Sequence, residues 1–229
     1  MTTSLQARST PGRKGPGSNM TAAGSFDANA QRYDDWFEDN TAIYRSELDT
    51  ILDHLPANGR RIEIGAGTGR FAVPAGIRLG VEPSRNMAAI AKARGIDMIQ
   101  GVGESLPLRD AIFDHVLMVT VLCFVNNVRS VLSETERILR PGGQLTVGII
   151  DRNSPRTIEH VSKKKDGSSL RGAALLSTGE LVDALEDGDF DILKIDQTIL
   201  QPVDEVRSPQ KARKGSGSGM FVVITSKKA

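Results

Sequence analysis

Two carboxylates and a cluster of glycines are the first residues whose types and spacing suggest chemistry. Glu63, Gly65, Gly67 and Gly69 follow one another closely at the end of a short β-branched run, and Glu82 closes a second apolar run over 77–81. Gly65 and Gly67 let a backbone turn sharply and approach a ligand with no Cβ in between. A helix opening after the glycines would offer free N–H groups and a positive dipole end to an anionic group. Glu82 lies where a carboxylate at a neighbouring strand end accepts hydrogen bonds from ribose hydroxyls. The pattern is that of a strand–loop–helix–strand unit holding a nucleoside-containing ligand.

The details narrow the ligand. Arg70 stands where a dinucleotide fingerprint needs its third glycine for close helix–strand packing beneath a pyrophosphate. No Gly-Lys-Ser/Thr follows, so there is no P-loop. Glu63 would sit poorly beside a pyrophosphate and well beside an ammonium and a sulfonium. The residues by themselves predict a nucleoside with a positively charged or zwitterionic arm.

Positioning these groups requires a sheet. Strand candidates at 60–64, 77–82, 96–100, 114–120 and 143–151 alternate with helices near 68–73, 84–94 and 127–139. Such alternation predicts an α/β fold with a parallel, doubly wound sheet. Pro141-Gly142-Gly143 reads as the end of the third helix and the restart of a strand. Ser177-Thr178-Gly179-Glu180 reads as a capping box opening a helix to about 187, with strands near 190–200 and 220–226 after it. Upstream, Phe26, Tyr33, Phe37, Tyr44, Leu48, Ile51, Leu52 and Leu55 recur at helical spacing and predict two helices broken near Asn40. Residues 1–23, rich in Ser, Thr, Gly, Pro and basic side chains, are expected to be a disordered tail, leaving 24–229 as the folded domain.

Composition removes several function classes. Lys and Arg total 29 against 28 Asp and Glu, so no global field points to nucleic acid or to a membrane surface. The apolar segments are too short to span a bilayer, and the N-terminus lacks the apolar core of a secretory signal. Cys123 is the only cysteine, which excludes an intrachain disulfide and makes a reducing cytoplasm the expected compartment. His54, His115 and His160 show no metal-ligand spacing.

In sequence order, four motifs resemble those of the class I S-adenosylmethionine-dependent methyltransferases. Glu63-Ile64-Gly65-Ala66-Gly67-Thr68-Gly69 is similar to the family's first motif, and Val81-Glu82-Pro83-Ser84 to its acidic second-strand motif. Gly103-Glu104-Ser105-Leu106-Pro107-Leu108, followed by Ile112-Phe113-Asp114, resembles the adenine-side loop and fourth strand. Leu139-Arg140-Pro141-Gly142-Gly143 resembles the turn before the fifth strand. The nearest look is to the small-molecule branch that includes ubiquinone- and menaquinone-type methyltransferases.

The resemblance implies a Rossmann-like, seven-stranded, mostly parallel sheet with an antiparallel last strand and an N-terminal helical lid. It implies S-adenosylmethionine as cofactor and a small-molecule methyl acceptor as partner. The cofactor-binding residues it implies are Glu63, Gly65, Ala66, Gly67, Thr68, Gly69, Glu82, Pro83, Ser84, Gly103, Glu104, Ser105, Leu106 and Thr120. Glu63 is expected to face the ammonium, Glu82 both ribose hydroxyls, and the 103–105 loop the adenine. Val102 departs from the Asp that many relatives carry two residues before this loop's Glu, so the adenine amino group falls to Glu104 or to backbone atoms alone.

On the acceptor side, Tyr33 and Trp36 are expected lid residues, while Phe37 serves either the lid or the core. Cys123 reads as a buried structural thiol that is also an acceptor-side candidate, and Asp151 as a base or a cap for the next segment. Transfer from an activated sulfonium needs mainly positioning and exclusion of water, so a catalytic residue need leave no sequence mark. The alternatives are a protein or nucleic-acid acceptor docked on Lys163, Lys164, Lys165 and the basic tail, and a binding protein without catalysis.

Overall fold

The computed structural model describes residues 26–163 and 173–229. The expected tail over 1–23, and Lys164 and Lys165, lie outside them. Among the described residues the helices are α1 (Ala30–Asp39), α2 (Thr41–Leu52), α3 (Arg85–Ala93), α4 (Val128–Ile138), α5 (Pro155–Lys163) and α6 (Thr178–Glu186). The strands are β1 (Arg61–Ile64), β2 (Leu79–Val81), β3 (Asp97–Ile99), β4 (Phe113–Val119), β5 (Leu139–Ile150), β6 (Phe190–Thr198), β7 (Arg213–Lys214) and β8 (Phe221–Lys228). They form one sheet in the order β3-β2-β1-β4-β5-β8-β6-β7.

β1 to β5 are mutually parallel, and β8 runs antiparallel between β5 and β6. The antiparallel last strand is as expected. The eighth strand, two-residue β7, pairs at the edge with β6 and carried no sequence signal. From β1 the chain moves outward through β2 and β3, then returns to β4 on the other side. The loop after β1 therefore sits at the topological switch point, where open α/β sheets bind ligands.

Strand alternation divides the core into two layers. Ile62, Ile64, Val116, Met118, Leu145 and Val147 pack with Val131 and Leu132 of α4 and Leu181 and Leu185 of α6. Leu117, Val119, Phe221 and Val223 pack on the opposite face with Phe37 of α1 and Ile43, Leu48 and Ile51 of α2. Glu63, between Ile62 and Ile64, thus projects toward the α1–α2 face.

Several local expectations hold. Asn40 separates α1 from α2 and closes α1 through its side-chain amide, which donates to the Trp36 carbonyl at 2.9 Å. The capping box at α6 is formed: Ser177 Oγ accepts from Glu180 N–H, and the Glu180 carboxylate accepts from Ser177 N–H. The helix expected near 68–73 is absent. Residues 67–76 form a series of turns and a bend, because Gly67, Gly69 and Gly76 all take left-handed φ values of 54°, 82° and 65°. The restart expected at 143 also moves. β5 begins at Leu139, and Pro141-Gly142-Gly143 is absorbed as an irregularity opposite Phe113 and His115.

Away from the switch point a buried polar chain crosses the sheet. His54 Nδ1 meets Thr225 Oγ1 at 2.8 Å, Thr225 meets Thr146 Oγ1 at 3.0 Å, and Thr146 meets His115 Nε2 at 2.9 Å. His54 Nε2 lies 3.1 Å from Asp196, which Lys194 also approaches at 2.9 Å. Burial lowers both histidines, His115 to about 3.

Candidate active site

The glycine loop is fastened to the end of β2 from both sides. The N–H groups of Gly65 and Ala66 donate to the Val81 carbonyl at 2.8 and 3.1 Å. Glu82 Oε2 accepts from Gly67 N–H at 3.0 Å, and Oε1 accepts from Ser84 N–H at 2.9 Å. Burial raises the Glu82 carboxyl, and those two backbone bonds hold it back. Gly65 is required sterically as well as conformationally. Its φ is 70°, and a Cβ there would lie 2.3 Å from Val121 Cγ2. Ser84 caps α3 by accepting from Met87 N–H at 3.2 Å, with Pro83 half-buried between it and Glu82.

Glu63 is 1% exposed, and its Oε2 has no hydrogen-bond partner among the described residues. Burial pushes its carboxyl well above the usual carboxylate range, opposed by the Ala72 N–H and reinforced by the charge of Glu82. A buried acceptor without a donor is costly unless a ligand supplies one. The turns at 67–76 present no helix dipole here, so the recognition the loop can offer is negative side chains and free backbone edges. The pair Glu63 and Glu82 suits a ligand with a cationic group and hydroxyl donors.

Tyr33 of α1 stands over this loop, its ring and hydroxyl 3.7 and 3.8 Å from where a Gly67 Cβ would lie. Burial raises its phenol, and the charges of Glu63, Glu82 and Glu47 add to the effect. Glu47 of α2 is thus a third carboxyl whose charge bears on the same phenol. It is 9% exposed and makes no hydrogen bond or ion pair among the described residues. Burial pushes it up to about 8. Its presence was not foreseen: Glu47 lies one turn from Ile43 on a helix whose apolar spacing marks only a core face.

The segment before α1 straps the site shut. Asp27 Oδ1 accepts from Ser84 Oγ at 2.8 Å and from Asn86 N–H at 3.0 Å. Phe26 stacks edge-on against Phe124 beyond β4, centroids 4.8 Å apart, and against Tyr33 at 5.8 Å. α1 itself is pinned by Asp34, which is 5% exposed. Arg70 donates to Asp34 at 2.9 and 2.7 Å, and Arg94 donates at 2.6 Å to each of its oxygens. Arg94 also reaches the Thr68 carbonyl at 2.7 Å, tying the loop, α1 and the end of α3 together. Burial works against the Asp34 charge, but Arg94 and Arg70 hold its carboxyl well below the usual range. Arg70, noticed as the residue that excluded a dinucleotide, is here a clasp for the lid. Trp36 is half-buried, and Phe37, 5% exposed, is a core residue ringed by Tyr33, Trp36, Tyr44 and Phe71. Of the aromatic candidates, Tyr33 is the one that reaches the loop.

On the opposite rim, Gly103 is buried against Val131, and Leu106 is buried while Ser105 is exposed. Glu104 Oε1 accepts from Asn126 N–H at 2.8 Å, which makes it a brace between this loop and the approach to α4 rather than a free reader. Glu134 fixes the same loop by accepting from Leu106 N–H at 2.7 Å. Thr120, just past β4, holds a left-handed φ of 53°. With Cys123, Leu122, Ile149, Ile150, Leu175 and Leu176 it lines a small recess of about 10 Å³. Burial pushes the Cys123 thiol up to about 12, and its Sγ donates to the Thr120 carbonyl at 3.3 Å, so it is an unreactive wall residue. Asp151 is committed elsewhere. Its carboxylate accepts from Thr178 Oγ1 at 2.7 Å and Asn153 N–H at 2.9 Å, the bonds of a cap for the following segment.

Comparisons with known proteins identify the family. Residues 62–147 match the family described as a methyltransferase domain. A protein of Methanocaldococcus jannaschii is 41% identical over 203 residues, 89% of this chain and 98% of its own length. The crystal structure of an S-adenosylmethionine-dependent methyltransferase of Thermotoga maritima, described as a possible histamine N-methyltransferase, matches with a TM-score of 0.84. It is 42% identical, over 89% of this chain and 98% of that one. Over a shorter stretch, the demethylmenaquinone methyltransferase of Corynebacterium efficiens is 30% identical across 109 residues, 46% of this chain and 47% of its own.

Proposed function

The chain belongs to the class I S-adenosylmethionine-dependent methyltransferases, and from that premise we propose that it methylates a small-molecule acceptor. The observation that carries this reading is the strap. Phe26 and Asp27 bridge from Phe124 to Ser84 across the mouth, and Tyr33 lies beneath them over Gly67. A site covered in this way admits a small molecule more readily than a chain segment or a base in a duplex. The Thermotoga protein, described as a possible histamine N-methyltransferase, and the Corynebacterium demethylmenaquinone methyltransferase are both named for small acceptors.

S-adenosylmethionine, when bound, supplies a methyl group already activated on a sulfonium. In this reading Glu63 receives the methionine ammonium, for which its unpartnered Oε2 is suited. Gly65, Ala66, Gly67, Thr68 and Gly69 run along the methionine arm. Glu82 accepts from both ribose hydroxyls while its Gly67 and Ser84 contacts keep the carboxylate aimed. Pro83 and Ser84 wall the ribose. Gly103, Ser105 and Leu106 flank the adenine, whose amino group falls to backbone atoms because Glu104 is engaged with Asn126. Thr120 and Cys123 bound the acceptor side. The protein contributes orientation and exclusion of water for an in-line displacement. A cytoplasmic location accompanies this reading: no helix among the described residues is long and apolar enough to cross a membrane.

The test is a transfer assay with methyl-labelled S-adenosylmethionine against separate pools of small metabolites, proteins and nucleic acids. Label in the small-molecule pool is expected. Label confined to protein or nucleic acid would overturn the acceptor class and leave the enzyme class intact.

A further inference from the structure

The groups proposed to receive the adenosyl ligand are closed off from solvent. Glu63 and Thr68 are each 1% exposed, and Glu82 is 7% exposed. A ligand that exchanges between turnovers reaches them only if part of the enclosure moves. Most of the enclosure is fixed. The sheet supplies its floor. The 103–106 loop is pinned at Leu106, whose N–H donates to Glu134 at 2.7 Å and whose carbonyl accepts from Arg137 at 3.1 Å. α1 is held by the charge-assisted bonds of Arg70 and Arg94 to buried Asp34, and Phe37 roots it in the core. The remaining piece of cover is the strap, in which Phe26 and Asp27 are both half-buried. Asp27 Oδ1 accepts from Ser84 Oγ and Asn86 N–H, and the Asp27 carbonyl accepts from Asn86 Nδ2 at 2.9 Å. None of these donors is a cation, and Asn86 is exposed, so water can take the place of the strap there. The Phe26 ring rests edge-on against Phe124 and Tyr33. The strap meets α1 at Asn29, whose φ of −124° and ψ of 19° lie outside the helical region, so the chain already bends at that point.

Building on the methyltransferase reading, we propose that the strap, and not the helical cover behind it, is the gate for the adenosyl ligand, with Asp27 as its latch and Asn29 as its pivot. Opening frees Asp27 from Ser84 and Asn86 and withdraws Phe26 from Phe124. The Asp34 clasp meanwhile keeps α1 and the glycine loop together, because Arg94 joins Asp34 to the Thr68 carbonyl. A pivot at the end of an element, outside a helix that stays packed, is the usual place for such a motion. Closing carries the strap from Ser84 back to Phe124 and shuts water out of the site. The latch makes the same bonds whether or not ligand lies beneath it. Weakening it therefore raises the open fraction of the free and the occupied protein alike. Entry and exit then speed up together, and their ratio, the affinity, is held.

The experiment uses the full chain and S-adenosylhomocysteine, with association and dissociation rates read by surface plasmon resonance. Asp27→Ala is expected to raise both rates about tenfold and to leave the dissociation constant within about threefold of the native value. Asp27→Asn keeps an Oδ1 acceptor for Ser84 Oγ and Asn86 N–H, so its rates are expected to stay within about threefold of native. Phe26→Ala removes the ring contact without touching a polar group and is expected to raise both rates as well. Loss of a merely structural contact would lower the melting temperature and speed dissociation alone. Association at the native rate in Asp27→Ala and Phe26→Ala overturns the proposal, and so does faster dissociation by itself. Equal rates in Asp27→Asn and Asp27→Ala overturn the assignment of the latch. Tight binding with native rates throughout refutes this inference alone, whereas no binding of S-adenosylhomocysteine to the native protein refutes the methyltransferase reading beneath it.

Discussion

Gly67 N–H donates to Glu82 Oε2 across 3.0 Å, joining the apex of the glycine loop to the carboxylate at the end of β2. The contact makes the two parts of the proposed donor site one unit. Loop shape and carboxylate aim cannot change independently, because Glu82 also accepts from Ser84 at the start of α3. Glu82→Ala therefore removes the ribose acceptor and releases the loop at once. S-adenosylmethionine affinity is expected to fall by about tenfold or more, since two charge-assisted hydrogen bonds are lost. Calorimetry with unchanged affinity would remove Glu82 from the donor site.

Gly65→Ala introduces two penalties at one position. The left-handed φ of 70° disfavours any Cβ, and the new methyl would lie 2.3 Å from Val121 Cγ2. Urea melts are expected to show a loss of about 2–3 kcal/mol. Val121→Ala in the same chain should return the part due to the clash and leave the part due to φ. A double variant no more stable than Gly65→Ala would mean that Val121 is not the obstacle.

Asp34→Asn tests the clasp. The substitution keeps the shape and leaves Arg70 and Arg94, whose side chains are 15% and 28% exposed, without their shared anion. A loss of about 3 kcal/mol is expected in chemical denaturation, because both guanidiniums keep part of their desolvation cost. Limited proteolysis should then cut within 26–40 before the rest of the chain. Cleavage no faster than in the native protein would show that the strap and α1 are held by other contacts.

Stability should depend on pH from both sides. Glu47 is raised from its ordinary value near 4.5 to about 8, so the folded state holds its proton more tightly. Its contribution is complete below about 4.5 and is lost as pH rises toward 8, at up to about 1.4 kcal/mol per pH unit. His115 works in the opposite sense. It is lowered from 6.5 to about 3, so its contribution is complete above 6.5 and is lost as pH falls through that window. The ligand-free protein is therefore expected to be most stable near pH 5–6. Melts across pH 4–9 check this, and Glu47→Gln should flatten the alkaline limb while leaving the acid limb in place. An alkaline limb unchanged in that variant would reassign the slope to Glu63 and Glu82.

Much of the backbone around the proposed donor site was legible because its signals are local. The glycine spacing, the Glu82 strand end and the capping box at Ser177 each depend on a few neighbouring residues, and the structure builds each where expected. The turns at 67–76 were misread as a helix for the same reason in reverse. Apolar spacing was visible, but repeated left-handed glycines decide the backbone. Asp151 was ambiguous in sequence because a carboxylate at a strand end serves equally as base or cap. Thr178, 27 residues away, made it a cap.

The sequence by itself determined the alternating α/β order, the switch-point loop and the charge type of the ligand, since periodicity, φ preference and side-chain charge travel with the residue. Only the tertiary structure decided how the glycine loop is fastened and how α1 is clasped to it. Asp34 meets Arg70 and Arg94 from 36 and 60 residues away, and Asp27 reaches Ser84 across 57. Glu47 is 9% exposed only because its helix lays that face against the core. Burial and pairing are properties of the packed neighbourhood, and nothing in the residues adjacent to Glu47 records them.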